Sequence, residues 1–129
     1  MVYIVKWSDD EQNQIQAFLN RVKALLSTNE CDFKVTDKNK QLDIKYNLRH
    51  KDKIKIIKSL TVEDCVEIRK NDNPRYADTD LYVFIKGTEL LSYGEPETVK
   101  LYIKEYILEQ KNYETVIVIS LHEEGMHDE

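Results

Sequence analysis

Proton transfer near neutral pH is the chemistry that three histidines, His50, His122 and His127, could bring to this 129-residue chain, because an unperturbed imidazole titrates at about 6.5. His50 opens a lysine-rich stretch and reads as a solvated or capping residue, and His127 lies in a polar tail. His122 differs, since it directly follows the β-branched run at residues 116–121, which has the character of a buried strand. Strand parity places Val116, Val118, Ser120 and His122 on one face and Ile117, Ile119 and Leu121 on the other. By the same alternation Tyr82 stands opposite Leu81 and Val83. If residues 99–104 form a strand, Tyr102 and Lys104 stand opposite Leu101 and Ile103. Tyr82, Tyr102, Lys104 and His122 are then the polar members of three successive strands. Were those strands neighbours, all four would line one concave surface able to bind a phosphodiester and move protons. The plainer alternative is an amphipathic sheet with one wet face.

Other reaction classes leave no trace. The chain has no glycine-rich phosphate loop, no G-x-S-x-G elbow, no CxxC and no HExxH. Its two cysteines, Cys31 and Cys65, are too few for a disulfide framework and lack metal-ligand spacing, so no metal site and no cofactor is expected. The 24 acidic residues make any single carboxylate pair uninformative.

Several elements that would position these residues are readable. Residues 2–6 have the alternation of a short strand. Ser8-Asp9-Asp10-Glu11 is a capping-box signature, and Ile15, Phe18, Leu19, Val22, Leu25 and Leu26 form the apolar stripe of the helix it opens. Residues 33–36 and 42–46 flank the polar turn Asp37-Lys38-Asn39-Lys40 and suggest a hairpin. A basic helix is expected over residues 49–60. A short helix should start at Thr61, with Val62, Cys65, Val66 and Ile68 on its apolar side, and end at Asn71-Asp72-Asn73-Pro74. Leu81, Val83 and Ile85 alternate as in a strand, and a loop follows at residues 92–96. Residues 99–107 fit either a strand or a helix opened by Pro96. Helices first and strands after imply a single α+β domain over residues 1–129, with residues 123–129 as a frayed tail.

Composition sets the class. Charged residues make up 33% and hydrophobic ones 41%, with 3 Gly and 2 Pro. This excludes collagen-like, low-complexity and wholly disordered chains. No apolar run approaches a membrane span and no signal peptide is evident, so a cytoplasmic protein without membrane contact is expected. The net charge of −5 argues against a dedicated binder of nucleic acid, and no DNA partner is expected for the chain by itself. Yet residues 34–58 hold nine basic residues and three acids, enough to draw phosphates to one face or simply to solvate a helix.

The blocks Ile56-Ile-Lys-Ser-Leu-Thr-Val-Glu-Asp64, Asp80-Leu-Tyr-Val-Phe84, Leu101-Tyr-Ile-Lys104 and Val116-Ile-Val-Ile-Ser-Leu-His-Glu123, in that order and spacing, resemble the MqsR family. These are small toxins of bacterial toxin–antitoxin systems, similar in fold to the RelE group. The resemblance covers roughly residues 50–124. It implies helices packed on one face of a mainly antiparallel sheet, and it favours a strand at residues 99–107. It also implies a metal-independent endoribonuclease that cleaves mRNA and is neutralised by a cognate antitoxin protein. The family's catalytic tyrosine falls on Tyr102, with Lys104 on the same face, and its catalytic lysine after the last strand falls on His122. Its glutamine falls near Thr79. A further catalytic lysine falls on Glu67, a carboxylate that cannot stabilise a phosphoryl anion, and Arg69 or Lys70 is within reach to replace it. Arg75 and Tyr82 would help hold the RNA, and the basic segment would serve as an RNA-backbone or antitoxin-docking surface. The competing reading is a non-catalytic binding module: an antitoxin- or immunity-type inhibitor, or a toxin whose site has decayed.

Overall fold

The computed structural model describes residues 6–125. The expected strand over residues 2–6 and the end of the expected tail therefore fall largely outside the described residues. Three helices, α1 (Asp9–Ser27), α2 (Asp37–Tyr46) and α3 (His50–Lys58), pack against a five-stranded mixed sheet. The strands are β1 (Cys31–Phe33), β2 (Cys65–Lys70), β3 (Asp80–Ser92), β4 (Glu95–Gln110) and β5 (Tyr113–Glu123), in the spatial order β1-β5-β4-β3-β2. The last four form an antiparallel meander, and β1 joins β5 in parallel. The fold is α+β, with one parallel pair. Among the described residues no helix is long and apolar enough to cross a membrane.

The capping box forms as expected. Ser8 Oγ accepts from the Glu11 amide at 3.1 Å, and Glu11 Oε1 accepts from the Ser8 amide at 2.9 Å. Ile15, Phe18, Leu19, Val22 and Leu26 of α1 then enter the core. Trp7, just before the cap, donates its indole N–H to the Cys65 carbonyl at 3.0 Å and so ties the start of α1 to β2.

Two expected elements are replaced. The proposed hairpin over residues 33–46 is instead the short β1 followed by α2. Thr36 caps α2 by accepting from the Asn39 amide at 3.1 Å. Asn39, Leu42 and Tyr46 are buried at helical spacing, whereas Ile44 is 79% exposed. The helix expected from Thr61 stops after one 3-10 turn at Val62–Asp64, and Cys65–Lys70 continue as β2. That edge strand hydrogen-bonds to β3, a gain that local propensity does not register.

All three helices lie on one face of the sheet. Their buried residues share a core cluster with Phe84, Leu101, Ile103, Val116, Val118 and Leu121. A second, smaller cluster on the far face joins Leu81, Tyr106 and Ile117. The register accounts for this division. Opposite Lys104 stands Ser120, but opposite Glu105 stands Val118, so β5 carries an extra residue, Ile119, as a bulge. The bulge overturns the simple parity expected of β5. Val116 and Val118 face the helices with Leu121, while Ile117, Ser120 and His122 face away. Asn39 of α2 secures the irregularity. Its amide nitrogen donates to the Ile119 carbonyl (3.0 Å) and the Lys34 carbonyl (2.9 Å), and its side-chain oxygen accepts from the Leu121 amide (3.0 Å).

Strands β3 and β4 meet in a two-residue turn, Tyr93-Gly94, between the paired Ser92 and Glu95. Both turn residues have positive φ (50° and 80°), the hand that matches strand twist.

Candidate active site on the far face of the sheet

Tyr102 and His122 are register partners on β4 and β5. Their rings stack with centroids 5.3 Å apart and planes 15° from parallel. Lys104, two residues along β4, shares that face and stands between Val83 and Ser120. The three residues expected to carry chemistry are therefore together. His122 and Lys104 are buried at 2% and 8% exposure, whereas Tyr102 reaches partly to solvent. His122 Nδ1 lies 2.9 Å from the Glu123 carbonyl. A carbonyl only accepts, so this contact puts the proton of the neutral ring on Nδ1 and makes Nε2 the basic nitrogen.

Arg69 of β2 joins the group from the edge. Its register partner is Leu81, on the far face of β3. Its Nη2 donates to Asp72 Oδ2 at 3.3 Å, and the same carboxylate oxygen lies 3.6 Å from Lys104 Nζ. Glu67 also faces this side, 3.9 Å from Arg69 Nη1. Of the two residues expected to compensate for Glu67, then, Arg69 stands with Lys104. Lys70 is exposed at the end of β2 and two residues on from Ile68, which packs against the helix-side core.

Tyr82 does not belong to this surface. It pairs with Ile68 and Glu105 on the helix side, stacks on Phe18 at 3.8 Å, and accepts a hydrogen bond from Gln14 Nε2 at 3.0 Å. Both faces of β3 are buried around it (Leu81, Tyr82, Val83, Phe84), so polarity carried no information about which way it points. Tyr82 and Gln14 instead line a cleft of about 460 Å³ between α1 and the sheet, together with Asp80, Arg21 and Glu109. Arg75 is exposed in a 3-10 turn with its guanidinium 5.7 Å from the Tyr76 ring centroid. Tyr76 in turn lies 6.2 Å from Tyr106, which fastens residues 71–79 over the far face.

Most of the basic segment lies in α2 and α3, across the sheet from Tyr102 and His122, while Lys34 follows β1; part of the segment's charge is neutralised in place. Lys45 pairs with Glu123, Lys53 with Asp43, and Lys34 with Asp32.

A comparison of the chain with protein-family models, curated proteins and solved structures finds no match.

Two acidic residues escaped the sequence reading. Asp72 looked like a helix terminator, yet it bridges Arg69 and Lys104 on the far face. Glu105, one residue beyond Lys104, is fully buried on the helix side with neither carboxylate oxygen hydrogen-bonded among the described residues. Burial pushes its carboxyl up to about 8. Its alternation with Ile103 and Ile107 was a usable signal of the inward orientation. Both cysteine thiols are pushed up to about 12, chiefly by burial and further by the proximity of Glu105. Among the described residues no group of His, Cys, Asp and Glu is arranged to hold a metal ion.

Proposed function

We propose that the chain is an endoribonuclease that cleaves mRNA by acid–base transesterification, of the kind its resemblance to the MqsR toxins implies, and is neutralised by a cognate antitoxin protein. The observation that carries this reading is the in-register pair Tyr102–His122 with Lys104 on the same face. His122 Nε2 removes the proton of a ribose 2′-hydroxyl, whose oxygen attacks the adjacent phosphorus. The bond to the 5′-oxygen breaks, and that oxygen leaves with a proton from Tyr102 or from the imidazolium. A 2′,3′-cyclic phosphate remains. Lys104 and Arg69 offset the charge that builds on the phosphoryl oxygens, an interaction strengthened where water is excluded. Arg75, on the exposed rim, extends the positive edge toward the RNA backbone. Tyr82 has no part in this chemistry.

The test is an RNA cleavage assay in EDTA with wild type and His122→Ala. Loss of one general acid–base group is expected to slow cleavage by about 10²–10⁴-fold, with cyclic-phosphate ends on the wild-type products. Unchanged cleavage by His122→Ala would refute the assignment. The burial of His122 favours a second reading, a non-catalytic protein-binding module. No cleavage by either folded protein, together with 1:1 capture of a protein partner, would establish that instead.

A further inference from the structure

Residues 71–79 form a closed lap on the far face. Its ends are joined by the Asn71 amide donating to the Thr79 carbonyl at 3.0 Å, and its middle is fastened by Tyr76 against Tyr106. Such compact loops with adjoining ends are frequent carriers of function. From this lap Asp72 reaches Arg69 at 3.3 Å and Lys104 at 3.6 Å through one carboxylate oxygen. The Asp72 side chain is 62% exposed, whereas that of Lys104 is 10% exposed. The anion thus sits on the solvent side and the cation beneath it. Arg69 Nε is buried with no hydrogen-bond partner among the described residues, so the guanidinium has donor capacity that Asp72 leaves unused.

We propose that Arg69 and Lys104 form a phosphodiester-holding pair, and that Asp72 occupies it in the free protein as an internal substitute for the phosphate. A carboxylate and a phosphate present the same kind of acceptor to a guanidinium. The latch is weak, because the Asp72 carboxylate stays largely in water, and the two non-bridging oxygens of a phosphodiester, set at a tetrahedral centre, can be shared between Lys104 and the unused donors of Arg69. Displacing Asp72 frees the lap to lift, which uncovers Lys104 beside His122 and Tyr102. This regulation rests on the ribonuclease reading for the identity of the phosphate; the anion-holding pair itself does not depend on it.

The probe is a fluorescent single-stranded all-2′-O-methyl oligoribonucleotide, which carries the phosphates but lacks the attacking hydroxyl. Its binding is measured by anisotropy at fixed salt. Asp72→Asn should tighten binding about three- to tenfold, and Arg69→Gln should weaken it. In the Arg69→Gln background the effect of Asp72→Asn should shrink. Asp78→Asn removes one negative charge from the same lap without touching the pair and should change little; circular dichroism confirms that each variant is folded. Unchanged or weaker binding by Asp72→Asn, equal tightening by Asp78→Asn, or no binding by any variant would overturn the proposal. Cleavage of all-ribose RNA, followed in parallel, separates the two ideas. Tighter binding without cleavage by any variant leaves the anion-holding pair standing and removes the ribonuclease. Wild-type cleavage with no response to Asp72→Asn does the reverse.

Discussion

Glu105 offers a stability measurement whose size and sign follow from its place in the core. Its carboxyl is wholly buried, and desolvation holds its pKa at about 8, well above the 4.5 of a glutamate in water. The unfolded chain ionises this group near 4.5, while the folded chain keeps it protonated until about pH 8. Between those limits the native state binds one proton more than the unfolded state, so stability falls as pH rises, by about 1.4 kcal/mol per unit. The full contribution is present below about pH 4.5. By pH 8 about 5 kcal/mol of it is gone, a large share of the roughly 5–15 kcal/mol available to a domain. Glu105→Gln keeps the shape and removes the titration. Urea unfolding of both proteins at pH 5, 6, 7, 8 and 9 isolates the effect, because every other titrating group is common to the two. The stability of Glu105→Gln minus that of wild type should climb steadily from pH 5 to pH 8 and level off beyond it. Glu105→Leu, which also removes the buried polar atoms, should follow the same curve displaced upward. A pH-independent difference for both variants would refute the account, since it would mean that Glu105 is not held neutral.

Further outcomes follow from the other features. Asn39→Ala deletes three hydrogen bonds and leaves the bulge's Ile119 carbonyl and Leu121 amide unpaired. It should cost about 2–4 kcal/mol in chemical denaturation and, on the proposed ribonuclease reading, lower cleavage through misplacement of His122. Gly94→Ala meets no neighbouring atom within 4 Å, but its φ is +80°. The loss should therefore be the backbone term alone, about 1 kcal/mol in thermal unfolding. Cys31 and Cys65, with thiols pushed up to about 12, should resist alkylation at pH 8 in the folded protein and react on addition of urea, as read by mass spectrometry.

Patterns that depend on a single chain segment were legible, and those set by a partner were not. Helix α1 could be read because its cap and its stripe are local, and the core of β5 because the four consecutive β-branched apolar residues at 116–119 permit little else. Helix α2 was mistaken for a hairpin, since Asp37-Lys38-Asn39-Lys40 has turn composition and the decisive fact is Thr36 capping it. Strand β2 was mistaken for a helix because its apolar residues also fit a helical spacing, and only pairing with β3 decides between them. The β5 bulge is held by Asn39, some 80 residues away in sequence, so no local alternation could reveal it. The placement of Tyr102, Lys104 and His122 together nevertheless held, because the bulge at Ile119 precedes the segment that carries Ser120 and His122. Tyr82 failed for a different reason: a strand buried on both faces gives no sign of which face its polar group joins.

Trp7 is the sole tryptophan of the sequence, and its indole N–H is held by the Cys65 carbonyl where α1 begins. The protein thus contains its own optical reporter. Indole emission depends on whether that ring is sheltered, so undocking of α1 from β2 should shift the spectrum to longer wavelength. Tyr102, Lys104, His122 and Asp72 lie on the other side of the sheet. Substitutions among them that leave the emission untouched have altered the far face alone, and any that shift it have loosened the helical layer. A fluorimeter can therefore sort chemical effects from structural ones before the first cleavage assay is run.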